Sequence, residues 1–378
     1  MKQRLAFLYF LRLGATGFGG PIALVGRMRR ELVEDRRWLS DEEFGNGLAL
    51  SQLAPGPLAA QLAMYIGWLW GGMRGAAATS VAFIAPSFLI VIVFAALYRR
   101  ADGIPWLVAM FSGVGPAVIV IIGRSAVRLW RTTLGSDSVL WLIAAINAVA
   151  TVITRAESAA LVALSGAAIM LLRGGSYRME AATARSVVAP SFALLSAAGL
   201  PAFPLLVTLF LFFATAGLVV FGSGLAIVPF LHGGVVEQHH WLTEAQFMDA
   251  VALSFISPGP VVMMVAFIGF MVAGLAGASA AALGVFLPAF ALVVIFAPQF
   301  ARIVRNARLR SFVAGVTAAA IGALMGAVIV LSIRTFRDWR AVPIAAAVLA
   351  TFIKWPRIPE PAVLAAAAAV GLAFWLNA

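Results

Sequence analysis

Apolar runs near the length of a bilayer-crossing helix fill this chain from end to end. They cover residues 5–25, 44–72, 76–98, 104–123, 137–153, 157–173, 203–231, 246–274, 277–298, 312–333, 341–353 and 360–376. A spanning helix needs about 20 apolar residues, so there is room for about ten to twelve such segments. A water-facing globule cannot hide them. Of the 378 residues, 63% are hydrophobic and 11% charged, where a soluble domain has about 45–50% and about 25%. Long stretches of Ala, Leu, Val and Gly without two-residue alternation are not barrel strands. The expected fold is an all-α polytopic membrane protein, with the lipid bilayer as its main partner.

Charge and rare residues narrow the function. Twenty-seven Lys and Arg against fifteen Asp and Glu give a net charge of +12. In a membrane chain this excess reads as arginines in cytoplasmic loops rather than as a nucleic-acid surface. Cysteine is absent, which excludes disulfides, thiolate metal sites and cysteine nucleophiles. The three histidines, His232, His239 and His240, share one loop, show no ligand pattern and are expected to face water; no metal or other cofactor is expected. The opening Lys2 to Phe10 resembles the start of a signal peptide. It lacks a small-residue cleavage site and runs into a glycine-rich break, so it reads as retained.

The chain also repeats itself. Phe18-Gly19 matches Phe221-Gly222, Trp38-Leu39 matches Trp241-Leu242, and Pro55-Gly56-Pro57 matches Pro258-Gly259-Pro260, all at an offset of 203 (221 − 18, 241 − 38, 258 − 55). Between Glu34 and Pro57, ten of twenty-four positions are identical to those between Glu237 and Pro260. Two homologous domains are expected, 1–180 and 190–378, joined through the polar stretch Arg173 to Arg185. Residues 22–54 carry five arginines (Arg27, Arg29, Arg30, Arg36, Arg37), while 225–257 carry no Lys or Arg. Because basic loops stay cytoplasmic, the halves read as inverted-topology repeats. The matched basic loops at Arg99-Arg100 and Arg302 to Arg310 argue the other way.

Each repeat interrupts its apolar runs twice. The first break is Gly17-Phe18-Gly19-Gly20-Pro21, echoed by Phe221-Gly222-Ser223-Gly224, and the second is Pro55-Gly56-Pro57, echoed by Pro258-Gly259-Pro260. Proline removes a backbone donor and pushes the preceding residue out of the helical region. Two prolines around a glycine should stop one helix and start another. Irregular backbone at membrane depth survives only when buried in protein or lining a wet cavity. A helix starting there aims free N–H groups at that cavity, which suits an anion.

Ser51, Gln52, Gln61, Ser223 and Ser254 lie near the breaks and could add donors, although Ser51 and Ser254 could equally bond carbonyls of their own helices. Arg12, a charge inside an apolar run, either serves the site or snorkels to the interface. Glu34 and Glu237 are candidates for proton coupling, with a solvated loop carboxylate as the ordinary alternative. Trp38 and Trp241 fit interfacial anchors. An intramembrane enzyme would need clustered acids or metal ligands at depth, where the chain offers little beyond Asp249. No ATP-binding loop (G-x-x-x-x-G-K-[ST]) occurs, so a carrier would run on a gradient.

The segments FGGP, EDRRWLSDEEF, ALSQLAPGP and QLAMYIGW in the first half resemble the chromate transporter family, as do FGSGLAIVPFLHGGVVEQHHWLT, SPGPVV and FIGF in the second. The similarity covers most of the chain and is that of the long two-domain form. It implies an inner-membrane, multi-pass carrier that exports chromate and also handles sulfate; a carrier for another oxyanion or a small organic anion, and an anion channel, are the alternatives that the sequence leaves open. It also implies that Phe18 to Pro21, Pro55 to Pro57 and Pro258 to Pro260 matter for transport; a homodimer is compatible with it. The chain departs from the family pattern at Leu58-Ala59-Ala60-Gln61, where a glutamate is expected, at Arg29 in place of His, and at Ser223-Gly224 in place of Gly-Pro.

Overall fold

A computed structural model describes residues 2–18, 20–100, 105–154, 159–173, 203–219, 227–299, 307–336, 338–355 and 358–376. Among these residues there are helices and no strands. The first half comprises α1 (Lys2–Thr16), α2 (Gly20–Arg29), α3 (Asp41–Leu53), α4 (Leu58–Arg100), α5 (Pro105–Thr133), α6 (Ser138–Thr154) and α7 (Ala159–Arg173). The second half repeats the order with α8 (Phe203–Val219), α9 (Ile227–His232), α10 (Glu244–Ile256), α11 (Met264–Phe296), α12 (Ala307–Thr335), α13 (Ala341–Lys354) and α14 (Glu360–Leu376). The expected junction near 180–190 lies outside the described residues, as does most of the polar stretch from Arg173 to Arg185.

The repeat extends to local backbone detail. A π-helical turn, Arg30–Asp35, follows α2, and its counterpart Gly233–Gln238 follows α9. Arg37 and His240 both take positive φ, at 49° and 50°. Ser40 and Thr243 then open α3 and α10 with complete capping boxes, closed by Glu43 and Gln246.

Two apolar runs expected as single segments fold back on themselves. The run 44–72 contains α3, of 13 residues, and the first arm of α4, 58–70, each about 20 Å long and too short for a ~30 Å hydrocarbon core. They lie side by side: Gly47 of α3 packs on Tyr65 and Leu62 of α4. The chain therefore re-enters, with Pro55-Gly56-Pro57 at the tip of a helical hairpin. At Gly71-Gly72 the backbone leaves helical geometry and α4 reverses again. Thr79 donates to the Ala63 carbonyl at 2.9 Å, although an unbroken helix would hold residues sixteen apart at about 24 Å. The second arm, 73–100, is long enough to cross. In the second half α11 turns at Ala273-Gly274, bringing Gly269 against Gly277 as Gly67 meets Gly75. The run 5–25 is likewise divided, between α1 and α2.

The halves are interlocked rather than side by side. Helices α6 and α7 of the first half pack on α12 of the second, while α13 and α14 pack back on α5. Small residues let the backbones touch, as expected where lipid removes the hydrophobic drive between helices. Gly322 meets Ala144, Gly315 meets Ser165, and Gly113 meets Ala367 and Gly371. The apolar core divides accordingly: α6, α7 and α12 close around Ile143, Ile169, Val316 and Ile321, apart from the main core.

Candidate functional site

The Pro-Gly-Pro tips form because three residues conflict with helix in turn. Ala54 and Ser257, each before a proline, are extended at ψ 139° and 142°. Gly56 and Gly259 follow at φ 135° and 98°, where an L side chain is strained. Helix resumes at once. Gln61 N–H reaches the Pro57 carbonyl at 3.0 Å, so the amides of Leu58, Ala59 and Ala60 precede the first intrahelical bond. In the second half the restart is a 3₁₀ turn, Val261–Met263.

Each tip reaches the middle of the other half's long helix. Gly259 N–H donates to the Gly17 carbonyl at 2.7 Å, joining the second-half tip to the glycine-rich break at the end of α1. Ser87, next to Pro86 midway along the spanning arm of α4, donates to the Gly14 carbonyl at 3.1 Å. Its hydroxyl occupies the space that a Cβ on Gly259 would need. On the other side, Gly56 abuts the Gln61 amide and Ala289, the neighbour of Pro288 in α11. Three of the four interruptions thus converge on two proline-bearing helix centres. The fourth, Phe221, Gly222, Ser223 and Gly224, lies outside the described residues, as does Gly19.

The remaining expected site residues divide clearly. Gln61 is fully buried; its amide N–H donates to the Pro55 carbonyl at 2.7 Å, and its carbonyl oxygen has no partner. Ser51 and Ser254 are buried, but their hydroxyls bond the Gly47 and Val251 carbonyls of their own helices. Pro21 is buried and Gly20 has φ 73°. Phe18, Gln52 and Arg12 are exposed, Arg12 on the face of α1 turned away from Phe10 and Gly14. The crossing is closed: Leu58, Ala59, Ala60, Val261 and Val262 are all buried. An apolar cavity of about 480 Å³ between α4 and α11, lined by Ile84, Phe88, Phe286 and Phe290 among others, includes neither tip.

The histidines need correction. His239 and His240 are exposed, His239 stacking on Trp241 at 4.3 Å. His232 is instead 4% exposed, with Nε2 at 2.9 Å from Glu244. Arg334 of α12 bonds Glu244 and also Glu237, the latter at 2.5 Å. Partial burial would push the Glu244 carboxyl up. The His232 hydrogen bond and the charges of His232 and Arg334 outweigh it and hold the group below the usual carboxylate range. His232, Glu237 and Glu244 could by geometry ligate a cation, although the Arg334 guanidinium already supplies positive charge to both carboxylates. In the first half Arg29 takes the histidine's place, reaching Asp41 at 3.2 Å and Glu34 at 3.8 Å on an exposed surface. The signal was in the repeat: Arg29, Glu34 and Asp41 stand at the same 203-residue offset from His232, Glu237 and Glu244.

The chromate transporter family's model matches residues 5–171 and again 207–372. A chromate transport protein of Cupriavidus metallidurans is 46% identical over 372 residues, covering 97% of this chain and 91% of the relative. A probable chromate transport protein of Synechococcus elongatus is also 46% identical, covering 97% and 94%. A chromate transport protein of Pseudomonas aeruginosa is 34% identical over 85% of this chain and 79% of its own length. No solved structure matches. One family model accounts for both interlocked halves, and helices of spanning length recur in each; the chain belongs to the chromate transporter family and is a multi-pass membrane transport protein, not an enzyme.

Proposed function

We propose that the chain is a secondary transporter that exports chromate, or a related oxyanion, across the inner membrane by alternating access, driven by a proton or other ion gradient. The observation that carries this reading is the pairing of two helix-starting tips with the centres of the opposite half's long helices. Free first-turn amides at Leu58 to Ala60 favour negative charge without any buried cation. The names of the relatives point the substrate toward chromate. Since the crossing is closed, the anion enters when the tips part from Ser87 and Ala289. Phe18 to Pro21, Phe221 to Gly224 and both Pro-Gly-Pro segments would line that opening. Gln61, Ser51 and Ser254 supply side-chain polarity, while Gln52 and Arg12 attract the anion from outside. Inverted topology of the halves is supported by the five arginines of 22–54 against none in 225–257.

Uptake of labelled chromate into everted vesicles tests the reading. Wild-type uptake should exceed that of empty vesicles and fall on Pro55→Ala with the protein still inserted. Uptake no better than the control overturns it. A second reading, with sulfate or a small organic anion as cargo, uses the same amides; competition in these vesicles separates the two.

A further inference from the structure

Among the described residues, no cation pairs with one carboxylate at the seam between the halves. Asp249 lies in α10, the arm that leads to the second Pro-Gly-Pro tip, and is 8% exposed. Tyr98, near the end of α4 in the other half, donates to its Oδ2 at 2.7 Å. The charged groups on the surrounding elements are engaged elsewhere or exposed. On α4, Arg99 lies over the Phe270 ring at 4.8 Å, and Arg74 and Arg100 are exposed. On α5, Arg124 sits over Phe352 at 4.4 Å, Arg128 acts on Glu360 of α14 and Arg131 is exposed. Glu244 of α10 and Glu237 of the π turn are held by Arg334. Helix α11 has no charged residue.

An ionised carboxylate buried without a cation is costly, whereas its neutral form is not. An ionisable group buried in this way within an apolar helix of a membrane protein is a functional candidate by default. The position is also asymmetric: the residue at the 203 offset is Asn46, which cannot ionise. The Tyr98 bond ties α10 to the same helix whose Ser87 meets the Gly259 tip. Separation of α10 from α4 would therefore wet Asp249 and open the crossing together.

We infer that Asp249 is the proton-binding group that couples the gradient to opening of the crossing, with Tyr98 as its positioning residue. This rests on the gradient-driven reading above. Protonated, Asp249 sits dry against Tyr98 and the crossing stays shut. Deprotonated, it draws water and releases α10. Glu34 and Glu237, already ion-paired at the hairpin bases, need take no part.

Purified full-length protein in proteoliposomes distinguishes the cases through two readouts: chromate exchange at equal pH on both sides, and chromate accumulation under an imposed pH gradient. Wild-type protein should do both. Asp249→Asn, fixed in the neutral and therefore shut form, should abolish both exchange and gradient-driven accumulation at every pH while still folding. Tyr98→Phe removes a donor that favours the ionised carboxylate, so the pH midpoint of exchange should move upward. Accumulation by Asp249→Asn at the wild-type level overturns the inference, as does wild-type exchange without any response to the pH gradient. If Asp249→Asn does not fold, an unshifted midpoint in Tyr98→Phe decides against it. Absence of exchange by the wild type would instead sink the chromate reading itself.

Discussion

At residue scale, the tips depend on glycine because two independent demands meet at Gly259: a φ of 98° and the nearness of the Ser87 hydroxyl. Gly259→Ala would hold a non-glycine residue in a sparsely populated backbone region, costing about 1–3 kcal/mol before any clash is counted. The expected outcome is a lower melting temperature in detergent and loss of transport. Gly45, which has open space around its Cα, should tolerate alanine, and equal melting of the two variants would contradict the argument. The Arg334 cluster makes a second case. Arg334→Ala should destabilise by about 1.5–3 kcal/mol, the scale of hydrogen bonds to charged groups. Glu244 is held below its ordinary value, so its contribution is full above the unfolded carboxylate pKa of about 4.3. It is lost as pH falls through the lower folded value. Melting followed from pH 7 to pH 3 should show an acid limb that Glu244→Gln flattens; an identical limb in the variant would remove Glu244 from the account.

At the scale of elements, a re-entrant hairpin differs from a crossing by which side its ends occupy. Asp41 at the start of α3 and Arg74 just past the α4 turn are both exposed and should face one side, with Arg100 on the other. The chain has no cysteine, so single-cysteine variants at these positions can be labelled with a membrane-impermeant maleimide directly. Labelling of Asp41→Cys and Arg74→Cys from opposite sides would turn the hairpin into a crossing. Helix content, the repeat and three of the four expected interruptions were legible in the sequence, because Pro-Gly-Pro and a register shared between the halves are local signals. Whether an apolar run crosses or returns was not, since Leu62 and Tyr65 look alike to a hydropathy reading whether they face lipid or Gly47. His232 escaped for a related reason. Its partner Glu244 lies past a π turn and a cap, and only the comparison with Arg29 and Asp41 would have brought them together.

For the whole molecule, the interlock decides what can move. In a simple rocking mechanism each sequence half would be one body, but α12 is embraced by α6 and α7, and α5 by α13 and α14. The natural rigid units are thus mixed bundles flanking the pair of α4 and α11, and the tips lie where that central pair meets the hairpins. Close packing at Gly322, Gly326 and Gly315 is what holds α6 and α7 in place. Helices in lipid associate through such contacts and not through expulsion of water. A first half made alone therefore has nothing for α6 and α7 to close on. Segments 1–173 and 203–378, expressed together as separate tagged chains, should co-purify and restore transport. Segment 1–173 expressed alone should leave α6–α7 open to protease. A protease-resistant, monomeric 1–173 would mean that each half completes its own core, and would return the moving bodies to the sequence halves.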